Sequence, residues 1–392
     1  MITNATALFA FLAGTLAFIF YLSTLKPFKR FFEWLPPVIW AYFLPMFATF
    51  TGIIPASHPL YQWITRYLLP FALFLLMIAI DIPSILKLGK KALLMMVTGT
   101  LGIVIGIPVA YFLLGAWLPE EAWKGLAALS GSWIGGTANM VAIAQSVGTP
   151  ESALGPIIVV DTVVGYGWMG ILLFLSAHQA RIDRWLRADN QLIEAINQRM
   201  AATTPSGRIP STADYALLLG VGFVASVVSV WLGQQLPPLG NPTIISHTTW
   251  AILIVVTLGL LLSFTRLRSL ESIGASKVGY LALYLLLTAI GAQANLSAVA
   301  EAPLYLLAGF IALLIHIALL FGVAYFTHAP LFLVATGSMA NIGGAASAPI
   351  VAGVYYPAMA PVGLLLAVAG YILGIYAALG CAWILGQLAL FL

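Results

Sequence analysis

Residues 130–148 read SGSWIGGTANMVAIAQSVG, and residues 336–353 read TGSMANIGGAASAPIVAG. Each stretch sets a glycine pair, small hydroxyls and an asparagine among apolar residues. Glycine inside a helix costs roughly 1 kcal/mol relative to alanine, so Gly135–Gly136 and Gly343–Gly344 predict a break in a helix. A break at membrane depth frees amide and carbonyl groups that hydrocarbon cannot satisfy. It must then face protein or a water-filled cavity.

The rest of the chain supplies the membrane. Of 392 residues, 62% are hydrophobic and 7% charged, and the mean hydropathy is +1.04. No water-soluble domain hides so much apolar surface. A bilayer core takes about 20 apolar residues of helix to cross. Such runs occur at roughly 5–22, 36–55, 62–82, 91–115, 153–177, 213–235, 248–265, 278–299, 303–326 and 359–390. Two further segments, roughly 123–148 and 330–355, carry the quoted motifs. The expectation is an all-α polytopic membrane protein with about ten transmembrane helices and two re-entrant or broken glycine-rich segments. The first run has no preceding basic residue and no small-residue cleavage pattern, as expected of a retained helix. The single cysteine, Cys381, excludes an internal disulfide, and no Cys/His metal-ligand spacing is present.

The halves resemble each other. GSWIGG at 131–136 answers GSMANIGG at 337–344, and Pro156, Gly165 and Tyr166 answer Pro361, Gly370 and Tyr371, with offsets of 205 to 208 residues. This predicts a first repeat over 1–177, a polar linker over 178–212 and a second repeat over 213–392. Each repeat would hold scaffold helices followed by core helices around its motif.

Basic residues orient the copies, because loops on the cytoplasmic side carry lysine and arginine in excess. If both motif segments re-enter, 14 of the 16 basic residues fall on one side, leaving Arg66 and Lys124 opposite. If residues 123–148 cross fully, the count on that side drops from 14 to 6. Re-entrance also inverts the second repeat relative to the first, a sequence mark of many secondary transporters. A broken helix that crosses fully remains an alternative if another span is miscounted.

The candidate site follows from the breaks. Half-helices starting after Gly136 and Gly344 offer N-terminal amides to an anion. Freed carbonyls and the oxygens of Ser132, Thr137, Asn139, Ser338, Asn341 and Ser347 suit a hard cation such as sodium. Close packing of small residues is the plainer account of one such cluster; two matched clusters point to a site. Asp161 lies inside a span, where an ionisable group costs at least about 2.5 kcal/mol and usually handles ions or protons. Its counterpart is Leu366, so any cation site is asymmetric, and Thr137, Asn139 and Asp161 are its expected sodium ligands. Asp81, beside Lys87, Lys90 and Lys91, reads as an interfacial anchor. Gln293 and Asn295 end a second-half helix in the same way. His316 is either a proton relay or a donor to a neighbouring carbonyl.

GSWIGGTANMVA followed by VVDTVV, with ANIGGAASA followed by GYILG, resembles the YjcL-like group of bacterial membrane proteins, largely a domain of unknown function. That group is similar in pattern to sodium-coupled transporters with inverted repeats, such as the sodium/glutamate, citrate and bile acid symporters. The resemblance implies an elevator-like or rocking carrier in the bacterial cytoplasmic membrane, with Thr137, Asn139, Asp161, Asn341 and Ser347 near its site. A homodimer built on scaffold helices would be usual for such carriers. Gly337, Ser338 and Met339 depart from the more polar run expected in the second motif.

Other classes fit less well. A primary pump needs a nucleotide site, and no GxxxxGK[ST] motif is present. An intramembrane protease using Asp81 and Asp161 leaves the duplicated glycines unexplained. Channels commonly arrange re-entrant loops around one axis, whereas these two enter from opposite sides. The expectation is a carrier, not an enzyme, without resident cofactor. It would couple sodium to a small organic anion, with sodium/proton antiport through Asp161 as the alternative. The net charge of +4 is explained by orientation in the bilayer and implies no nucleic-acid partner.

Overall fold

The computed structural model describes residues 1–34, 37–188, 210–241, 243–294, 302–356 and 359–392. The protein is an all-α polytopic membrane protein. Its first half contains α1 (Ala5–Thr24), α2 (Pro37–Phe50), α3 (Pro59–Ile78), α4 (Lys90–Leu114), α5 (Ala122–Val147) and α6 (Glu151–Ser176). The second half contains α7 (Thr212–Gln235), α8 (His247–Ser263), α9 (Ala275–Gln293), α10 (Ala302–Thr327), α11 (Leu331–Ile342), α12 (Gly344–Tyr355) and α13 (Ala360–Ala389). Helices are the form that lets an apolar segment satisfy its own backbone in lipid. Polar residues at the ends fix where they start: Asn4 caps α1, while Ser211–Asp214 and Ser246–Thr249 form capping boxes on α7 and α8.

Among the described residues nine helices are long and apolar enough to cross a membrane, or ten if α8 is joined to the short turn Arg266–Ile273. One of the nine, α5, does not run straight. Gly135 and Gly136 leave helical geometry, and the hydroxyl of Thr149 donates to the carbonyl of Lys124 at 3.1 Å. A straight helix would set those residues about 37 Å apart, so α5 is a hairpin. Its two arms press together at Gly131, where a Cβ would lie 2.8 Å from the Asn139 carbonyl oxygen. The second motif folds likewise, since the ring of Phe332 at the start of α11 lies 5.2 Å from that of Tyr356 just after α12. Re-entrance, rather than full crossing, describes both segments.

The hairpins enter from opposite sides. The base of α5 adjoins the first turn of α6. The base of the second hairpin adjoins the helix Gln179–Leu186, which follows the other end of α6. There Gln179 donates to the Tyr356 hydroxyl at 2.8 Å, and the Leu331 amide donates to Asp183 at 2.7 Å. That helix begins the polar linker; residues 189–209 of the linker lie outside the described residues.

Two groups of helices emerge from the packing. One holds α1–α3 and α7–α9, the other α4–α6 and α10–α13, and they meet chiefly where α3 and α8 face α5. We term these scaffold and core. Each half of the chain contributes three helices to the scaffold, then a helix, a hairpin and a helix to the core. The predicted boundaries move at two places. The span expected over 36–55 ends at Phe50, before a turn at Gly52 with φ +75°. The span expected over 278–299 ends at Gln293, and Asn295 lies outside the described residues.

Candidate functional site

The two hairpin tips meet inside the core. Gly136 has φ +76° and ψ −176°, a conformation that essentially only glycine adopts. It turns the chain so that the second arm of α5 begins at Thr137. Gly344, with φ +59°, does the same at the start of α12. A Cβ on Gly344 would lie 3.9 Å from the Gly136 Cα. Both second arms therefore present N-terminal amides to one place, where they favour negative charge.

A cavity of about 370 Å³ opens there. Nine of the sequence-predicted residues line it: Ser132, Gly135, Gly136, Thr137, Asn139, Asp161, Gly343, Gly344 and Ser347. The Ser132 hydroxyl donates to Asp161 at 2.9 Å, fixing the carboxylate from the first arm of α5. Asn139 is fully buried. Its amide nitrogen donates to the Tyr371 carbonyl at 3.3 Å, whereas its side-chain oxygen has no hydrogen-bond partner among the described residues. A buried unpaired oxygen costs about 1–3 kcal/mol. It belongs to the lining of the same cavity as the Asp161 carboxylate.

Ser338 and Asn341 are placed elsewhere. Asn341 donates to the carbonyls of Met96 and Gly337 at 3.0 and 2.9 Å and accepts from the Thr100 hydroxyl at 2.8 Å. It pins α11 against α4 and does not line the cavity. Ser338 accepts from the Trp168 indole at 2.8 Å and lies 2.8 Å from Nε2 of His316. Because the Gly99 carbonyl beside Nδ1 can only accept, Nδ1 carries the proton of the neutral ring and Nε2 accepts from the serine hydroxyl. Nδ1 of His316 then donates to the Gly99 carbonyl at 2.9 Å. Every group is satisfied with a neutral ring, so His316 is a buried brace between α4, α6, α10 and α11. The spacing of the second motif could not separate its cavity-facing residues from those facing α4.

Sequence reasoning missed the aromatic wall. Tyr166, Tyr280, Tyr284 and Tyr371 all line the cavity. Tyr166 and Tyr371 stood at matched positions in the two halves, which was the available signal. Tyr280 and Tyr284 are i, i+4 neighbours on α9 and place the scaffold on one side of the cavity. Among the described residues no lysine, arginine or histidine lines it. Asp81 is not among the cavity-lining residues; its carboxylate accepts from Arg268 at 2.8 Å and from the Ser84 amide.

Three layers follow one another along the seam between core and scaffold. The cavity is bounded by an apolar septum in which Tyr42, Met140, Val141, Ala144, Ile158 and Leu287 converge with Leu154 and Ile290. Beyond the septum, on the side of the α5 base, lies a second polar cavity. On α6 the order is Asp161, Ile158, then Leu154 and Glu151; on α9 it is Tyr284, Leu287, then Ile290 and Gln293.

Comparison with known proteins supports the membrane class. The chain is 26% identical over 345 residues to the "Uncharacterized membrane protein YjcL" of Bacillus subtilis (strain 168), a match covering 84% of this chain and 85% of that protein. The family model described as "Protein of unknown function (DUF819)" matches residues 10–388. With nearly the whole length matched, the chain belongs to the DUF819 family.

Proposed function

We propose that this protein is a secondary active transporter of the bacterial cytoplasmic membrane, coupling sodium to a small organic anion. The observation that carries this reading is the meeting of two opposed hairpin tips around a cavity that contains Asp161 and the unpaired oxygen of Asn139. In this reading Asp161, Asn139 and Thr137 hold sodium, and the amides at the starts of the two second arms hold the anion. The core carries both by sliding against the scaffold in an elevator-like movement. No chemical conversion and no resident cofactor enter the scheme, and two copies pair through scaffold helices.

The apolar septum supports alternating access, because it separates the central cavity from the second polar cavity on the side of the α5 base. Two opposed repeats supply two related end states. Sodium/proton antiport through Asp161 is favoured by one observation, the absence of a basic side chain from the described lining. Purified protein in liposomes separates the two. Symport is expected to give sodium-dependent thermal stabilisation that deepens with one acid from a panel of mono-, di- and tricarboxylates. A change of internal pH driven by a sodium gradient alone would sink symport and establish antiport.

A further inference from the structure

The second polar cavity, about 490 Å³, plays no part in the proposed sodium site. Its scaffold wall includes Gln62, Arg66, Gln234 and His247, and its core wall Gln145 and Glu151. Arg66 lies over the Tyr67 ring at 5.6 Å and makes no ion pair among the described residues. Glu151 stands in the first turn of α6, where the positive end of the helix offsets its charge. His247 meets the Gly233 carbonyl at 3.3 Å. The Arg66 guanidinium is thus a cation of this lining that makes no ion pair among the described residues. Its forked N–H groups match a carboxylate, and the surrounding carboxamides supply both donors and acceptors for the rest of a small polar molecule. The floor is the septum, so a molecule held here rests one apolar layer from the central cavity.

We propose that this cavity is a capture site for small organic carboxylates, with Arg66 as its specificity-determining residue. The site concentrates anions at the mouth of the seam. It goes beyond the transport reading and stands independently of how the core moves.

The test needs no transport assay. The chain's single cysteine, Cys381, is buried, so a cysteine introduced as Gln234→Cys gives a specific probe of the exposed wall. Its reaction is measured in membranes with the anionic sulfonatoethyl and the cationic trimethylammonioethyl methanethiosulfonates. A nearby unit charge moves the two rates in opposite directions. Adding Arg66→Gln is expected to lower the anionic-to-cationic rate ratio roughly three- to ten-fold, and Arg66→Lys to restore much of it. Millimolar succinate should slow labelling when Arg66 is present and not in Arg66→Gln. A ratio indifferent to Arg66→Gln, or labelling of the Arg66 protein that succinate leaves unchanged, overturns the proposal. Failure of sodium coupling in liposomes would leave these rates as they are, which keeps the two readings separable.

Discussion

Tyr280 of α9 and Tyr371 of α13 share a hydrogen bond of 2.6 Å between their hydroxyls, tying scaffold to core beside the cavity. Thr257 and Tyr376 form a second tie at 2.9 Å. On the side of the α5 base, Ser246 and Thr249 hold the Ser146 carbonyl at 3.0 and 3.2 Å. Any sliding of the core must break such ties and make others. Each is worth about 0.5–1.5 kcal/mol. Replacing Tyr280 by Phe is therefore expected to leave the unfolding temperature nearly unchanged, yet to move the balance between core positions up to about ten-fold. The readout is the labelling rate of Ala346→Cys, which is exposed on the cavity wall.

The hairpin form of α5 fixes which residues share a side. Glu120→Cys and Glu151→Cys, both exposed, are expected to react with an impermeant thiol reagent from the same face of the membrane. Arg181→Cys reacts from the other face. A fully crossing α5 would split the first pair.

Asp161→Asn keeps the shape of the side chain and removes its charge. Sodium-dependent stabilisation should disappear, while the unfolding temperature in potassium or choline stays near that of the parent. Ser132→Ala removes a single hydrogen bond to a carboxylate, worth about 1.5–3 kcal/mol, and should weaken sodium binding about ten-fold or more. Unchanged sodium dependence in Asp161→Asn removes that residue from the site.

Ser338→Ala tests the brace. It strands the Trp168 indole N–H and Nε2 of His316 together in a buried place, at about 1–3 kcal/mol for each group. The unfolding temperature should fall clearly, with the apparent affinity for sodium unchanged. A selective loss of sodium affinity without loss of stability would return Ser338 to the ligand set.

Gly136→Ala forces a Cβ into a backbone conformation costing about 1–3 kcal/mol. Because the strain sits at the tip, the expected result is modest destabilisation with strong loss of sodium response. Thermal unfolding with and without sodium reads both.

The membrane class, the repeat and the hairpins were legible because each leaves a periodic mark in one dimension. Apolar runs have a length set by the bilayer, glycine pairs recur at matched positions, and lysines crowd one side. The charge count chose re-entrance for α5, and the Thr149–Lys124 hydrogen bond is its geometric counterpart. The facing of individual side chains was not legible. Asn341 and Asn139 look alike in sequence, yet one is consumed by Thr100, Met96 and Gly337, and the other keeps an unpaired oxygen. The difference comes from α4, whose backbone approaches α11 closely enough to satisfy Asn341. Tyr280 and Tyr284 were hidden for a related reason, since they reach the cavity from the scaffold and sit in no motif.

In the proposed transport scheme an inverted frame relates its two end states by a pseudo-two-fold axis in the membrane plane, so shape alone gives neither side of the membrane priority. Asp161 faces the cavity from α6, while Leu366, its sequence counterpart on α13, is buried hydrocarbon. Duplication thus left the mechanics doubled and the charge single. In the proposed transport scheme the gradients set the direction, and the one unmatched carboxylate, not the doubled architecture that carries it, supplies the fixed charge.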